Sequence, residues 1–123
     1  MNDDERYELA AILASGDVGA LYSGLSVLVS TAAEGKRCAA LASFGALDLL
    51  LDPDLPGRAA DSSEAFRRSL GELRDAALDL DKLTIWACSA SVQTMGIEGE
   101  PLAGVMSTPR FLRATDGARL IHV

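Results

Sequence analysis

The sequence predicts an α/β fold: a Rossmann-like, three-layer α/β/α domain built on a mainly parallel sheet of four to five strands. Two patterns carry that prediction. Apolar runs of strand length alternate with segments whose apolar residues recur every three or four positions. Strands separated by helices call for a parallel sheet covered on both faces. A length of 123 residues suits one domain with one core, and no internal repeat or low-complexity segment divides it, so residues 1–123 read as a single domain.

The elements follow in order. Tyr7 to Ala14 reads as the first strand, although its Ala and Leu content also suits a helix. Ser15-Gly16-Asp17 is a turn with Asp17 as helix cap. Val18, Leu21, Leu25, Leu28, Val29 and Ala32 then line one helical face, ending near Gly35. Lys36 to Ser43 makes the second strand, Phe44-Gly45 punctuates it, and Ala46 to Leu51 forms a brief helix. Pro53, Pro56 and Gly57 make Asp52 to Ala60 a loop, which is either a lid over the strand ends or a passive connector. Asp61 with Glu64 resembles a capping box. It opens a helix whose Phe66, Leu70, Leu73, Ala77 and Leu80 share one face, while Arg67, Arg68, Glu72 and Asp75 face water. Glu64 and Arg68, one turn apart, add modest support. Leu83 to Ala87 is a buried strand ending at Cys88, and Leu83, Ile85 and Trp86 belong to core packing or a subunit contact. Ser107-Thr108-Pro109 opens the last helix, and Ala118 to Val123 is the closing strand.

Composition removes several function classes. There are 11 basic and 18 acidic residues, a net charge of -7, and the basic ones are dispersed. Nucleic acid and anionic membranes are therefore not expected as partners, since both require a basic footprint. No apolar run approaches the roughly 20 residues that cross a bilayer. The acidic start, with Asp3-Asp4-Glu5 as a solvated terminus, lacks the parts of a signal peptide, so a cytoplasmic location is expected. Cys38 and Cys88 then stay reduced, and with one His they form no zinc pattern. No metal or cofactor is expected. GDVGALYSG around Gly16, Gly19 and Gly24 lacks the Lys-Ser/Thr ending of a phosphate loop, and reads as a tight turn or a weak anion site.

Chemistry concentrates in Leu83 to Ile97, LTIWACSASVQTMGI. Cys88 stands where strand gives way to helix, Ser89-Ala90-Ser91 opens that helix, Val92 to Met95 is one turn, and Gly96 closes it. Backbone N–H groups at such a junction favour the thiolate, the reactive form of cysteine. Ligands of parallel sheets bind beyond the carboxyl ends of the strands. Ser15 and Gly16, Phe44 and Gly45, and Cys88 with Ser89, Ala90 and Ser91 are thus expected at one rim. Cys38 is a core position with no resolving role, and His122 a partly buried or interface side chain.

Three segments carry a family resemblance. SGDVGALYSGLSVLVSTAAEGKRCAALASFGALDLLL resembles the first βαβ unit of the DsrE/DsrF-like proteins. CSASVQTMGI is similar to their cysteine segment, commonly Cys-Ser/Thr-Met-Ser-Met-Asp-x-Met-Gly-Ile, and LAGVMSTPRFL to their Gly-Val-Ala-x-Phe-Leu stretch. Ala90 and Val92 stand where the family has Met, and Gln93 where it has Asp. The resemblance implies a small, usually oligomeric α/β protein that accepts sulfane sulfur as a persulfide on Cys88 and passes it on. Thiol proteins would be its sulfur donor and sulfur acceptor. The alternative is a non-catalytic oligomeric module binding a small ligand or nucleotide at the rim, with Cys88 incidental. A one-cysteine peroxidase would need an Arg or Thr positioned beside Cys88, and the sequence shows none.

Overall fold

The computed structural model describes residues 6–123, so the acidic run at positions 3–5 lies outside the described residues. Strands β1 (Leu9–Leu13), β2 (Cys38–Ala42), β3 (Leu83–Cys88), β4 (Val105–Met106) and β5 (Arg119–His122) form one sheet. Its order is β4-β3-β2-β1-β5, and every strand pair is parallel. Helices α1 (Val18–Ala33), α2 (Phe44–Leu51), α3 (Glu64–Asp79), α4 (Ser89–Met95) and α5 (Thr108–Ala114) connect them. The fold is the three-layer Rossmann-like α/β/α arrangement that the alternating pattern predicts.

Alternation along the strands divides the core in two. Leu9, Ala11 and Leu13, Cys38, Ala40 and Ala42, and Leu83, Ile85 and Ala87 turn to one face. There they meet Leu21, Leu25, Leu28 and Ala32 of α1, with Leu70 and Ala77 of α3. Tyr22 of α1 and Phe66 of α3 touch at 5.3 Å between ring centroids. The other face carries Ala10, Ala39, Leu41 and Cys88, covered by Phe111 of α5. Trp86 lies on this second face, 6.3 Å from both Tyr7 and Phe111 in edge-to-face contact.

Most caps stand where the sequence puts them. Asp17 accepts from the Ala20 N–H, and Ser107 from the Arg110 N–H. The cap of α3 is a correction: Ser63, not Asp61, is its extended first residue and accepts from the Phe66 N–H. The Ser62 N–H bonds the Ala59 carbonyl, so a preceding turn absorbs Asp61. Arg67 also departs from its expected exposure, donating to the carbonyls of Ala60 and Ser62. Strand β4 has no sequence signal of its own, being two residues between Gly104 at φ 121° and the start of α5.

Asp52 to Ala60 is more structured than a loop. Leu55–Ala59 is a 3-10 helix, and Leu55 is fully buried in the α1–α3 core. Arg58 spans Asp48 at 2.9 Å and Asp52 at 3.1 Å. Arg74 of α3 donates to the carbonyls of Leu50 and Asp52. A segment pinned at these points is a packed connector, not a free lid. Leu55→Ala is expected to cost about 2–5 kcal/mol in denaturant unfolding. An unchanged midpoint would detach this segment from the core.

Candidate functional site

The rim beyond the carboxyl ends of β1, β2 and β3 brings the sequence-predicted residues together. Ser15 and Gly16 follow β1 and Cys88 ends β3, while Phe44 and Gly45 open α2 itself, which corrects the expectation that they stand as a break before a helix beginning at Ala46. Two backbones meet there: a Cβ built on Gly45 would lie 2.6 Å from both N and Cα of Gly16. Glycine at 45 therefore serves close approach, not a positive φ. The left-handed conformation belongs to its neighbour instead, with Phe44 at φ 41° and its ring half exposed. That conformation costs a non-glycine residue about 1–2 kcal/mol. Ser15 turns its hydroxyl back to accept from the Asp17 N–H, and the N–H groups of Ala14 and Ser15 reach the Val123 carbonyl. The start of α1 is thus occupied by its own cap, which leaves the weak anion site near Gly16 no support.

Cys88 is the N-cap of α4, and Gly96 closes that helix at φ 67°. As a thiol, Cys88 makes no capping hydrogen bond of good geometry. Its burial, at 5 % exposure, works against ionisation. The donors around it outweigh that penalty: the N–H and hydroxyl of Ser91, the N–H of Ala90 and the hydroxyl of Thr108. The net effect holds the thiol below its ordinary value. Ser91 is completely buried, and its Oγ accepts from the Phe44 N–H at 2.9 Å. Ser89 is partly exposed and Ala90 exposed.

Thr108 is the residue that sequence reasoning missed here, reading it only as a helix opener. The pairing of Cys88 with Met106 brings the start of α5 beside the sulfur. A two-residue strand leaves no periodicity from which that pairing follows. Thr108, exposed at the start of α5, is the smallest of the influences that lower the Cys88 thiol.

The remaining candidates lie elsewhere. His122 is exposed on β5, three strand positions from β3, so of its two expected placements the partly buried one is corrected. Cys38 is fully buried at the start of β2, on the opposite face of the sheet from Cys88. Burial, and then the charge of Glu8, push its thiol up to about 11 against some relief from Lys36. A cleft of about 510 Å³ runs beside the first half of β3, lined by Leu78, Leu83, Ile85 and Leu102 among others. It does not include Cys88. Among the described residues, no group of three or more His, Cys, Asp or Glu is placed to hold a metal ion. No helix among them is long and apolar enough to cross a membrane.

Fold and rim together define a parallel α/β domain with a lowered, mostly buried thiol at the end of its third strand. No family model matches the chain, and no curated protein matches it.

Gly45→Ala is expected to destabilise the fold by about 1–3 kcal/mol. Gly16→Ala, whose Cβ would meet Gly45 at an ordinary 3.5 Å, should stay within about 0.5 kcal/mol. Equal losses in urea unfolding would refute the asymmetry. Cys38 provides a pH test. Between its ordinary 9.0 and about 11, the unfolded chain has released a proton that the folded chain keeps. Stability should therefore fall as pH rises through that window, and Cys38→Ala should show a shallower fall. Parallel pH–stability curves would contradict it.

Proposed function

We propose that this protein is a sulfur carrier of the DsrE/DsrF-like type, holding sulfane sulfur as a persulfide on Cys88. The observation that carries the reading is the place of Cys88, which ends β3 and caps α4, where neighbouring N–H and hydroxyl groups hold its thiol below the ordinary value and favour its nucleophilic form. The resemblance of CSASVQTMGI to the family's cysteine segment supports it independently. Cys88 thiolate attacks the outer sulfur of a donor persulfide, a new S–S bond forms, and the donor's S–S bond breaks as its thiolate leaves. An incoming acceptor thiolate then takes that outer sulfur and releases Cys88 as thiolate. Sulfur moves with no net change of oxidation state, so no external reductant enters. The partners are sulfur-donor and sulfur-acceptor thiol proteins, and the setting is the reducing cytoplasm. A homo-oligomer is part of the same reading. It is supported by the thin cover over the α5 face, where Leu112 and Leu120 stand 43 % and 52 % exposed.

One observation favours a second reading, a ligand-binding module with Cys88 incidental: the thiol is only 5 % exposed. Ligand-induced thermal stabilisation that survives Cys88→Ala would mark that case.

Intact mass after incubation with a small-molecule sulfane-sulfur donor tests the carrier. The expected result is a reducible adduct of one sulfur in the wild type and Cys38→Ala, absent from Cys88→Ala. A folded, fully reduced wild type that gains nothing defeats sulfur carriage. An added oxygen on Cys88 with peroxide, and no added sulfur with the donor, would turn the reading to peroxide reduction.

A further inference from the structure

The geometry points to the first half of β3 as a docking edge for an extended segment of a partner protein, one with apolar residues at alternate positions and Lys or Arg on either side. β2 covers β3 from Leu83 to Ala87, but β4 on the other side pairs only with Ala87 and Cys88. The chain reaches this edge in the opposite sense. Leu102 bridges Trp86 antiparallel and turns at φ 59°, and Gly104 at φ 121° precedes the two parallel residues of β4. Nothing of β4 is left to cover Leu83 to Ile85.

Main-chain groups along a strand point alternately to its two neighbours. The Cys38 N–H bonds the Lys82 carbonyl on the β2 side, so odd-numbered residues of β3 turn their groups to the β4 side. There the Leu83 N–H bonds the Leu80 carbonyl, and the Ile85 carbonyl accepts from the Ala103 N–H. The Leu83 carbonyl and the Ile85 N–H have no main-chain partner among the described residues. They are spaced as one rung of a parallel ladder. A single guest residue in register with Thr84 gives its N–H to the Leu83 carbonyl and receives the Ile85 N–H on its own carbonyl. The guest residues before and after it then turn to the α3 face. On that face the cleft of about 510 Å³ is lined by Ala77, Leu78, Leu83 and Ile85, with Leu78 itself 48 % exposed.

Charge selects the flanks. Within two residues of the lining, Asp79, Asp81 and Glu100 are exposed and hold no ion pair among the described residues, against a single cation, Lys82. These carboxylates attract a basic segment and repel further copies of this chain, whose net charge is -7. The mode is strand addition, in which main-chain bonds give affinity and side chains give selectivity. It is independent of the sulfur-carrier reading, because Cys88 lies outside the cleft.

Amide NMR of the full chain, titrated with the synthetic peptide acetyl-Lys-Lys-Val-Thr-Val-Lys-Lys-amide, reads this edge directly. The Ile85 amide should shift saturably and exchange more slowly, and the binding should weaken as salt rises. Pro in place of the peptide's central Thr removes the N–H meant for Leu83 and should weaken binding about tenfold. Leu78→Ser, at an exposed position, should also weaken it about tenfold. Equal binding of the proline peptide, or of an acidic counterpart with Glu for every Lys, overturns the proposal. So does an Ile85 amide that the basic peptide does not move. An Ile85 amide already protected in a self-associated protein, and released on dilution, assigns the edge to a second copy and overturns the proposal equally.

Discussion

Small side chains on the central strands set the distances on which the rest of this structure depends. β2 reads Cys-Ala-Ala-Leu-Ala and every residue of it is buried, because neighbouring strands cover both edges and helices cover both faces. β1 contributes Leu-Ala-Ala-Ile-Leu beside it. Methyl groups on the sheet let the leucines of α1 fill the layer at close-packed density. The same economy of volume recurs at the rim, where two glycines let the turn after β1 and the start of α2 touch through their backbones. Larger residues at either level would push apart layers that share one core.

The rim inherits its geometry from that packing. With the start of α2 pressed against the turn after β1, Phe44 adopts a conformation rare for its type, and its N–H reaches Ser91 in the first turn of α4. Ser91 receives it there. Three consecutive strands of the sheet are therefore tied at their carboxyl ends: β1 to β2 through Gly16 and Gly45, and β2 to β3 through Phe44 and Ser91. Cys88 stands at the last of these ties, in surroundings whose polarity comes from main-chain amides and two hydroxyls.

Much of this was legible in the sequence, and the exceptions have physical causes. Strand and helix alternation, the Asp17 and Ser107 caps and the Gly96 stop are local signals, and local signals are what a sequence displays. Asp61 misled because Ser63 offers the same cap chemistry two residues later, and only the turn closed by Ser62 decides between them. The prolines of the segment after α2 concealed Leu55, whose burial depends on α3 and not on its neighbours. That the ends of β1, β2 and β3 lie side by side follows from strand order and was expected. That Ser91 accepts from the Phe44 N–H, and that β4 pairs its Met106 with Cys88, depends on registers that no single segment encodes.

The sheet also separates the two thiols. Cys38 begins β2 on the α1–α3 face, and Cys88 ends β3 on the α5 face. Its register partner on β3 is Leu83, five residues before Cys88, so roughly 16 Å of strand rise lies between their levels as well. No rotamer closes that gap, and the fold thus holds no internal disulfide in reserve. On the carrier reading, a persulfide on Cys88 is discharged by a second molecule. On that reading its lifetime is set by encounter frequency, with thiol concentration in the surroundings, and not the chain itself, as the clock.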